Sequence, residues 1–190
     1  MDNRTFFNKI ASEWDNMCSP NIEKLKKIIA LTAVKRNAKI LDVGTGTGVL
    51  VKYLLETSPA KIIGVDIAEN MIEIAKQKYE NECVEFVVSD ILAFNRSGFD
   101  YIFLYSVYPH FTDKEALFVH LSQLMNRNGK IVIAHSESKE AINGRHAESK
   151  TVKDHVLPSA EITSALMSGY FTIDHRIDDH EMYYITGIKR

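Results

Sequence analysis

The chain has little of what marks a specialised environment. Its 190 residues contain only two cysteines, Cys18 and Cys83, far apart and in no metal-ligand or redox spacing. That excludes a disulfide framework and a CxxC-type centre, and a reducing, cytoplasmic setting is the simplest expectation. There is no excess charge of either sign: 23 Lys and Arg oppose 25 Asp and Glu, for a net charge of -2. The electrostatic footprint of a nucleic-acid or membrane-surface binder is therefore missing. No stretch approaches the roughly 20 apolar residues of a membrane span. The polar start MDNRTFFNKI lacks a secretory signal's apolar core. What remains is an ordinary globular composition, 45% hydrophobic and 25% charged. It suits a single domain over residues 1–190, expected to act as a monomer or homodimer with no nucleic-acid partner and no membrane span.

Glycine is scarce too, nine in all, yet three stand together as Gly44, Gly46 and Gly48. The apolar run Lys39–Val43 leads into them and a helical pattern with Leu50, Tyr53, Leu54 and Thr57 on one face leads out. That is strand, tight turn and helix start, a turn whose bare backbone lets a small ligand approach. The same alternation continues. A helix from Ile22 precedes it, strand 62–65 leads to a helix with Met71, Ile72, Ala75 and Tyr79, and strands follow at 84–88, 99–105 and 130–134. A helix over 114–124 precedes Asn128-Gly129, read as a turn. Beyond a polar insertion come a helix near 159–167 and strands at 171–177 and 182–188, joined tightly enough for a hairpin. Alternating units predict an α/β, doubly wound, mostly parallel seven-stranded sheet with helices on both faces and an antiparallel last strand. Ligands in such sheets sit at the carboxyl ends of the strands.

Three acids, Asp42, Asp66 and Asp90, follow three successive strands and so share that edge. Asp66 lies about 20 residues past the glycine loop, where a carboxylate can accept from both ribose hydroxyls. That position alone fits NAD equally well. A dinucleotide fingerprint, however, wants its third glycine at Val49, and a pyrophosphate disfavours Asp42 just before the loop. S-adenosylmethionine carries a sulfonium, an ammonium and no phosphate, and suits the acid better. Capping of the next helix or turn is the competing role for each acid.

The segments ILDVGTGTGVL, GVDIAENMIEIAK, VVSDIL, FDYIFLYSVYPHF and LMNRNGKIVIAH, in this order, resemble the successive motifs of class I S-adenosylmethionine-dependent methyltransferases, from about residue 5 onward. The opening FFNKIASEWD is similar to the small-molecule branch that includes the quinone-biosynthesis C-methyltransferases. The resemblance implies S-adenosyl-L-methionine as cofactor, S-adenosyl-L-homocysteine as product and a Rossmann-like methyltransferase fold. It implies that Asp42 serves the methionine end of the donor, that Gly44, Thr45, Gly46 and Gly48 form the loop, and that Asp66 holds the ribose. Ile67 and Met71 then flank the adenine, Asp90 and Ile91 read its edge, and Tyr105 and Ser106 flank the transferring methyl. Ala68 departs from the usual Ser or Thr, with Asn70 a substitute cap. Pro109 replaces the first of a common histidine pair, leaving His110 as the second.

Methyl transfer from a sulfonium needs in-line positioning first and a base only when the acceptor must lose a proton. His110, His135 and His146 are the candidate acid–base residues. His135 ends the fifth strand. His146 and Asn143 would share a helix face inside the insertion 136–158, expected to be the acceptor lid. Residues 1–35 are expected to form a helical lid, with Phe6, Phe7, Trp14 and Tyr53 as covering residues. His120 lies with Leu117, Leu121 and Leu124 and reads as a core-edge histidine. The spacings of His135, His146 and His155 match no compact ligand motif, so no metal is expected. The amino-group methylation motif is absent from Ser106-Val107-Tyr108-Pro109, and no cysteine stands there. The partner expected is a small-molecule acceptor. A non-catalytic donor-binding regulatory or assembly protein is the alternative.

Overall fold

The structure, a computed structural model, describes residues 2–18, 20–149 and 151–190. At the start, α1 (Asn3–Ile10), a 3-10 turn over Ala11–Glu13 and α2 (Trp14–Met17) precede α3 (Ile22–Thr32). Asp2 and Asn21 cap α1 and α3 by accepting from Thr5 N–H and Lys24 N–H, which satisfies amides that a helix start leaves unpaired. The alternating units are β1 (Lys39–Val43), α4 (Val51–Leu55), β2 (Lys61–Asp66), α5 (Glu69–Lys78), β3 (Val84–Val88) and β4 (Phe99–Tyr105). Then come α6 (Lys114–Leu124), β5 (Met125–His135), α7 (Lys139–Glu148), α8 (Ala160–Met167), β6 (Phe171–Asp178) and β7 (Tyr183–Lys189).

The seven strands lie in the order β3-β2-β1-β4-β5-β7-β6. The pairs from β3 through β5 are parallel, and β7 runs antiparallel to both β5 and β6, as the short final hairpin predicts. Asp179 makes that hairpin's turn, accepting from Glu181 N–H and Met182 N–H. Strand order reverses between β1 and β4, so a crevice opens there at the carboxyl ends.

Alternate residues of the central strands feed two apolar layers. Leu41, Val43, Ile102 and Leu104 pack toward α6 and α8, whereas Ile40, Tyr101 and Phe103 pack toward α3 and α4. Every residue of β4 except Asp100 is buried, which is why its sequence reads as a continuous apolar run.

Two expectations need correcting. The fifth strand starts at Met125, five residues before Lys130, because Met125 pairs with Phe99 and the register then shifts to Tyr101 and Lys130. Asn128 accordingly sits within the strand as an irregularity, at φ +62°, rather than in a separating turn. Tyr53 does not reach the cavity at the carboxyl ends. It is buried with Leu25, Ile28 and Leu54 between helix and sheet.

Candidate functional site

After β1 the chain bends back on β2. Gly44 N–H and Thr45 N–H both donate to Val65 O, at 2.8 and 3.0 Å. Gly44 has φ +65°, and a Cβ there would stand 2.3 Å from Val107 Cγ2. Gly46, at φ +54°, faces the Trp14 indole. Position 44 thus demands glycine for steric and conformational reasons together, whereas at Gly46 only the left-handed backbone favours it. Asp66 ties the loop to the second unit. Its Oδ2 accepts from Gly46 N–H at 2.8 Å and its Oδ1 from Ala68 N–H at 2.9 Å. Burial pushes its carboxyl up and these amides pull it back. Each oxygen keeps a second lone pair.

One cavity runs along this edge. Gly44, Gly46, Asp66, Ile67 and Met71 line it, and so do Asp90, Ile91 and Ser106. Asp42, Thr45, Gly48 and Tyr105 do not; they stand behind the wall. Asp42 is buried, accepts from Thr45 Oγ1 at 2.6 Å, and is pushed up to about 7 by desolvation. Asp90 performs the capping role weighed for it, accepting from Leu92 N–H at the start of a 3-10 turn, Ile91–Ala93. Its other oxygen remains available on the cavity wall.

Across the crevice, β4 ends at Tyr105, whose hydroxyl bonds Ser136 Oγ at 2.8 Å. Ser106 then takes φ +55° while its N–H donates to Ala134 O. A left-handed serine costs about 1 kcal/mol or more, and nothing in its sequence context announces it. Pro109 suits the 3-10 turn Tyr108–His110, since its fixed φ fits a first helical turn. That turn places His110 in the cavity wall, followed by Phe111, Thr112 and Asp113. These last three, with Asn3, Ser89, Leu92 and Val107, are lining residues that motif reading missed.

The histidines meet here from distant segments. His110 Nδ1 lies 2.8 Å from His155 Nδ1, and its ring is 5.3 Å from that of His146. His146 Nδ1 bonds His155 O. Asn143, on the same face of α7, accepts from Leu157 N–H and donates to Leu157 O. His135 is buried against Tyr183 with both ring nitrogens unpartnered. Burial and the neighbouring histidines push His110 down to about 3, and burial does the same to His135. Both rings are neutral at pH 7. His120 instead bonds Phe94 O at the edge of the core. Among the described residues, no group of three or more His, Cys, Asp or Glu side chains is placed to hold a metal ion.

The N-terminal helices close over the loop side. Phe7 and Trp14 line the cavity, edge to face at 5.6 Å, and Phe7 also meets His110 at 5.3 Å. Phe6 contacts Phe7 and stands off the wall. Arg4 pairs with Glu69, and Asp15 bonds Thr47 and pairs with Lys78. The cap of α5 comes from neither Ala68 nor Asn70. Asn8 of α1 supplies it, its Oδ1 accepting from Asn70 N–H while Asn70 Nδ2 donates to Asn8 O.

A bare-backbone turn, a ribose-height carboxylate with spare lone pairs and the apolar side chains of Ile67, Met71 and Ile91 fit an adenosine-bearing ligand without phosphate. On this fold, that combination defines an S-adenosylmethionine-dependent methyltransferase of class I. The family described as a methyltransferase domain matches residues 34–186, and the chain belongs to it. The malonyl-[acyl-carrier protein] O-methyltransferase 1 of Ilyobacter polytropus is 31% identical over 132 residues, 67% of this chain and 49% of that protein. The demethylmenaquinone methyltransferase of Thermotoga maritima is 30% identical over 111 residues, covering 57% of this chain and 48% of that one. The chain thus spans about half the length of these relatives. In fold, it is similar to Haemonchus contortus phosphoethanolamine N-methyltransferase 2 in complex with S-adenosyl-L-methionine. The TM-score is 0.79 at 17% identity, over 100% of this chain and 60% of that one.

Proposed function

We propose that this chain transfers a methyl group from S-adenosylmethionine to a small-molecule acceptor by in-line displacement. The observation that carries this reading is the shared cavity: Asp66 and the glycine loop lie on one wall, Ser106 and His110 on the other. Asp66 holds the ribose hydroxyls with its spare lone pairs, Ile67, Met71 and Ile91 pack the adenine, and Asp90 accepts from its exocyclic amine. Asp42 acts indirectly, through Thr45, by fixing the loop. Bound there, the donor supplies a methyl group already activated on a sulfonium. The protein's task is to hold an acceptor in line with it and exclude water. Phe7 and Trp14, with α1 and α2, form the lid on the donor, whereas α3 packs against the sheet and takes no part in it. His110 faces the acceptor from the cavity wall, with His146 of the insertion packed against it from behind and His135 buried deeper.

Free Cys18 and Cys83 and the small net charge of -2 support a cytoplasmic enzyme that takes small molecules rather than nucleic acid. No helix among the described residues is long and apolar enough to cross a membrane. Thermal shift with S-adenosylmethionine, S-adenosylhomocysteine and NAD tests the donor. Stabilisation by the first two is expected, and stabilisation by NAD alone would sink the reading. A panel of small acceptors read by S-adenosylhomocysteine release tests turnover. Donor binding with no release across thiols, phenols, amines and quinols would favour a regulatory or assembly role.

A further inference from the structure

In the histidine cluster one contact differs from the others. At 2.8 Å between His110 Nδ1 and His155 Nδ1, one nitrogen must carry a hydrogen and the other a lone pair. Two neutral imidazoles joined this way hold opposite tautomers. When His110 carries Nδ1–H, its Nε2 is a lone pair, and His155 carries Nε2–H. The orphaned buried ring nitrogens among the described residues belong to His135, not to this pair. With Nδ1 taken, Nε2 is what His110 has left for a ligand in the cavity it lines.

The charged and titratable surroundings of the two rings differ. His110 faces His146 of α7, His155, His135 of β5 and Lys114 of α6, all of which oppose a positive charge on it. His155 faces His146 and Lys114 too, but has Asp154 beside it, which favours the charge. A proton received at His110 is therefore better held one ring further out.

We propose that His110 and His155 form a two-imidazole proton relay, serving an acceptor whose nucleophilic atom carries a hydrogen (a hydroxyl, a thiol or a neutral primary or secondary amine). The relay rests on the methyl-transfer reading. As the acceptor's lone pair bonds the methyl carbon, the carbon–sulfur bond breaks and its electron pair stays on sulfur. The acceptor's proton passes to His110 Nε2, the His110 Nδ1 hydrogen passes to His155 Nδ1, and the His155 Nε2 hydrogen leaves to water. His110 never holds a full charge. The pair is left with its tautomers exchanged. It resets once product has gone: water protonates His155 Nε2, the shared hydrogen returns from His155 Nδ1 to His110 Nδ1, and water removes the hydrogen from His110 Nε2. Here His110 is the catalytic base and His155 the positioning residue that also carries its proton away.

The test is nitrogen NMR on the full chain, histidine-selectively labelled with ¹⁵N, with S-adenosylhomocysteine present. At pH 7, His110 and His155 should be neutral, of opposite tautomer, and share one hydrogen. His155→Asn keeps a bond to Nδ1 but cannot pass a proton through its side chain, so exchange of the His110 ring hydrogen with water should slow at least tenfold. In His155→Ala, 10 mM imidazole should restore it. The same tautomer on both rings, or exchange as fast in His155→Asn as in the parent, would overturn the relay. So would a stoichiometric metal ion in the purified protein that His155→Ala removes, because a coordinated Nδ1 passes no proton. Failure of the donor reading is seen separately, as no thermal shift with S-adenosylhomocysteine, and the wild-type tautomers are read whether or not it binds.

Discussion

At the glycine-loop end of the cavity, the geometry is carried by backbone. The loop amides bond Val65 O, and the loop is tied to Asp66 through Gly46 N–H. At the histidine end it is carried by side chains from segments 45 residues apart, His110 and His155, fastened by the Asn143 bonds to Leu157. The first end rests on a few short-range constraints that leave little freedom. The second can change its side chains without disturbing the sheet. The two ends should therefore fail differently, and substitutions can be chosen to expose that.

The largest effect is expected at Gly44→Ala. A Cβ 2.3 Å from Val107 Cγ2, at φ +65°, should cost about 2–4 kcal/mol of stability and abolish the thermal shift with donor. Val107→Ala in the same chain should recover part of the stability, because it removes the colliding methyls. Wild-type donor affinity in Gly44→Ala would break the claim that this end is fixed by backbone.

His110→Gln should lower turnover of whichever acceptor the panel returns by about 100-fold, with the donor dissociation constant within about twofold. A comparable loss of donor binding would mean that the two ends are not separable. Conversely, Asp66→Ala should weaken donor binding by about 30–100-fold, as expected for losing hydrogen bonds to a charged group, and leave the histidine ring signals where they were. Calorimetry showing unchanged affinity would remove Asp66 from the ribose.

The ends should also oppose each other in acid. Asp42 has its folded value raised to about 7 from 3.8. The native state then holds a proton that the unfolded chain releases, so this stabilisation is full below pH 3.8 and is lost as pH rises to 7. His135 has its folded value lowered to about 3 from 6.5. The unfolded chain then takes a proton that the native state refuses, so stability is full above pH 6.5 and is lost as pH falls toward 3. Urea unfolding at pH 6.5 and pH 5 should show Asp42→Asn more acid-sensitive than the parent and His135→Phe less so. Each should differ by roughly 1 kcal/mol per pH unit. Parallel slopes in all three proteins would refute both assignments. The smallest effect belongs to Asn143→Ala, about 1–2 kcal/mol from the unpaired Leu157 amide, with donor binding unaffected.

The same contrast explains what the sequence disclosed. Gly44, Gly46 and Asp66 were readable because a strand, a left-handed turn and an acid about 20 residues later are constraints within a short stretch of chain. The sheet and its reversed last strand followed from alternation and from one short hairpin. The start of β5 was not readable, since Met125 joins the sheet only through its pairing with Phe99. Tyr53 fitted a covering role by residue type, and only packing sends it into the core. His155 was seen as one of several scattered histidines. Its bond to His110 exists only because α7 folds back and Asn143 holds Leu157. Asn8 as the cap of α5 was invisible for the same reason, donor and acceptor standing 62 positions apart.

That borrowed cap has a mechanical meaning. Because Asn8 belongs to α1, lifting the N-terminal segment off the cavity strips the first turn of α5 of its partner, next to the Ala68 amide that orients Asp66. An N-cap is worth about 1 kcal/mol, so any such opening would cost roughly that amount. An open form would have a frayed helix start beside Asp66, and closure would mend both together. With the donor bound beneath α1 as proposed, its residence and the firmness of α5 would be a single linked equilibrium, in which anything that steadies one helix slows escape beneath the other.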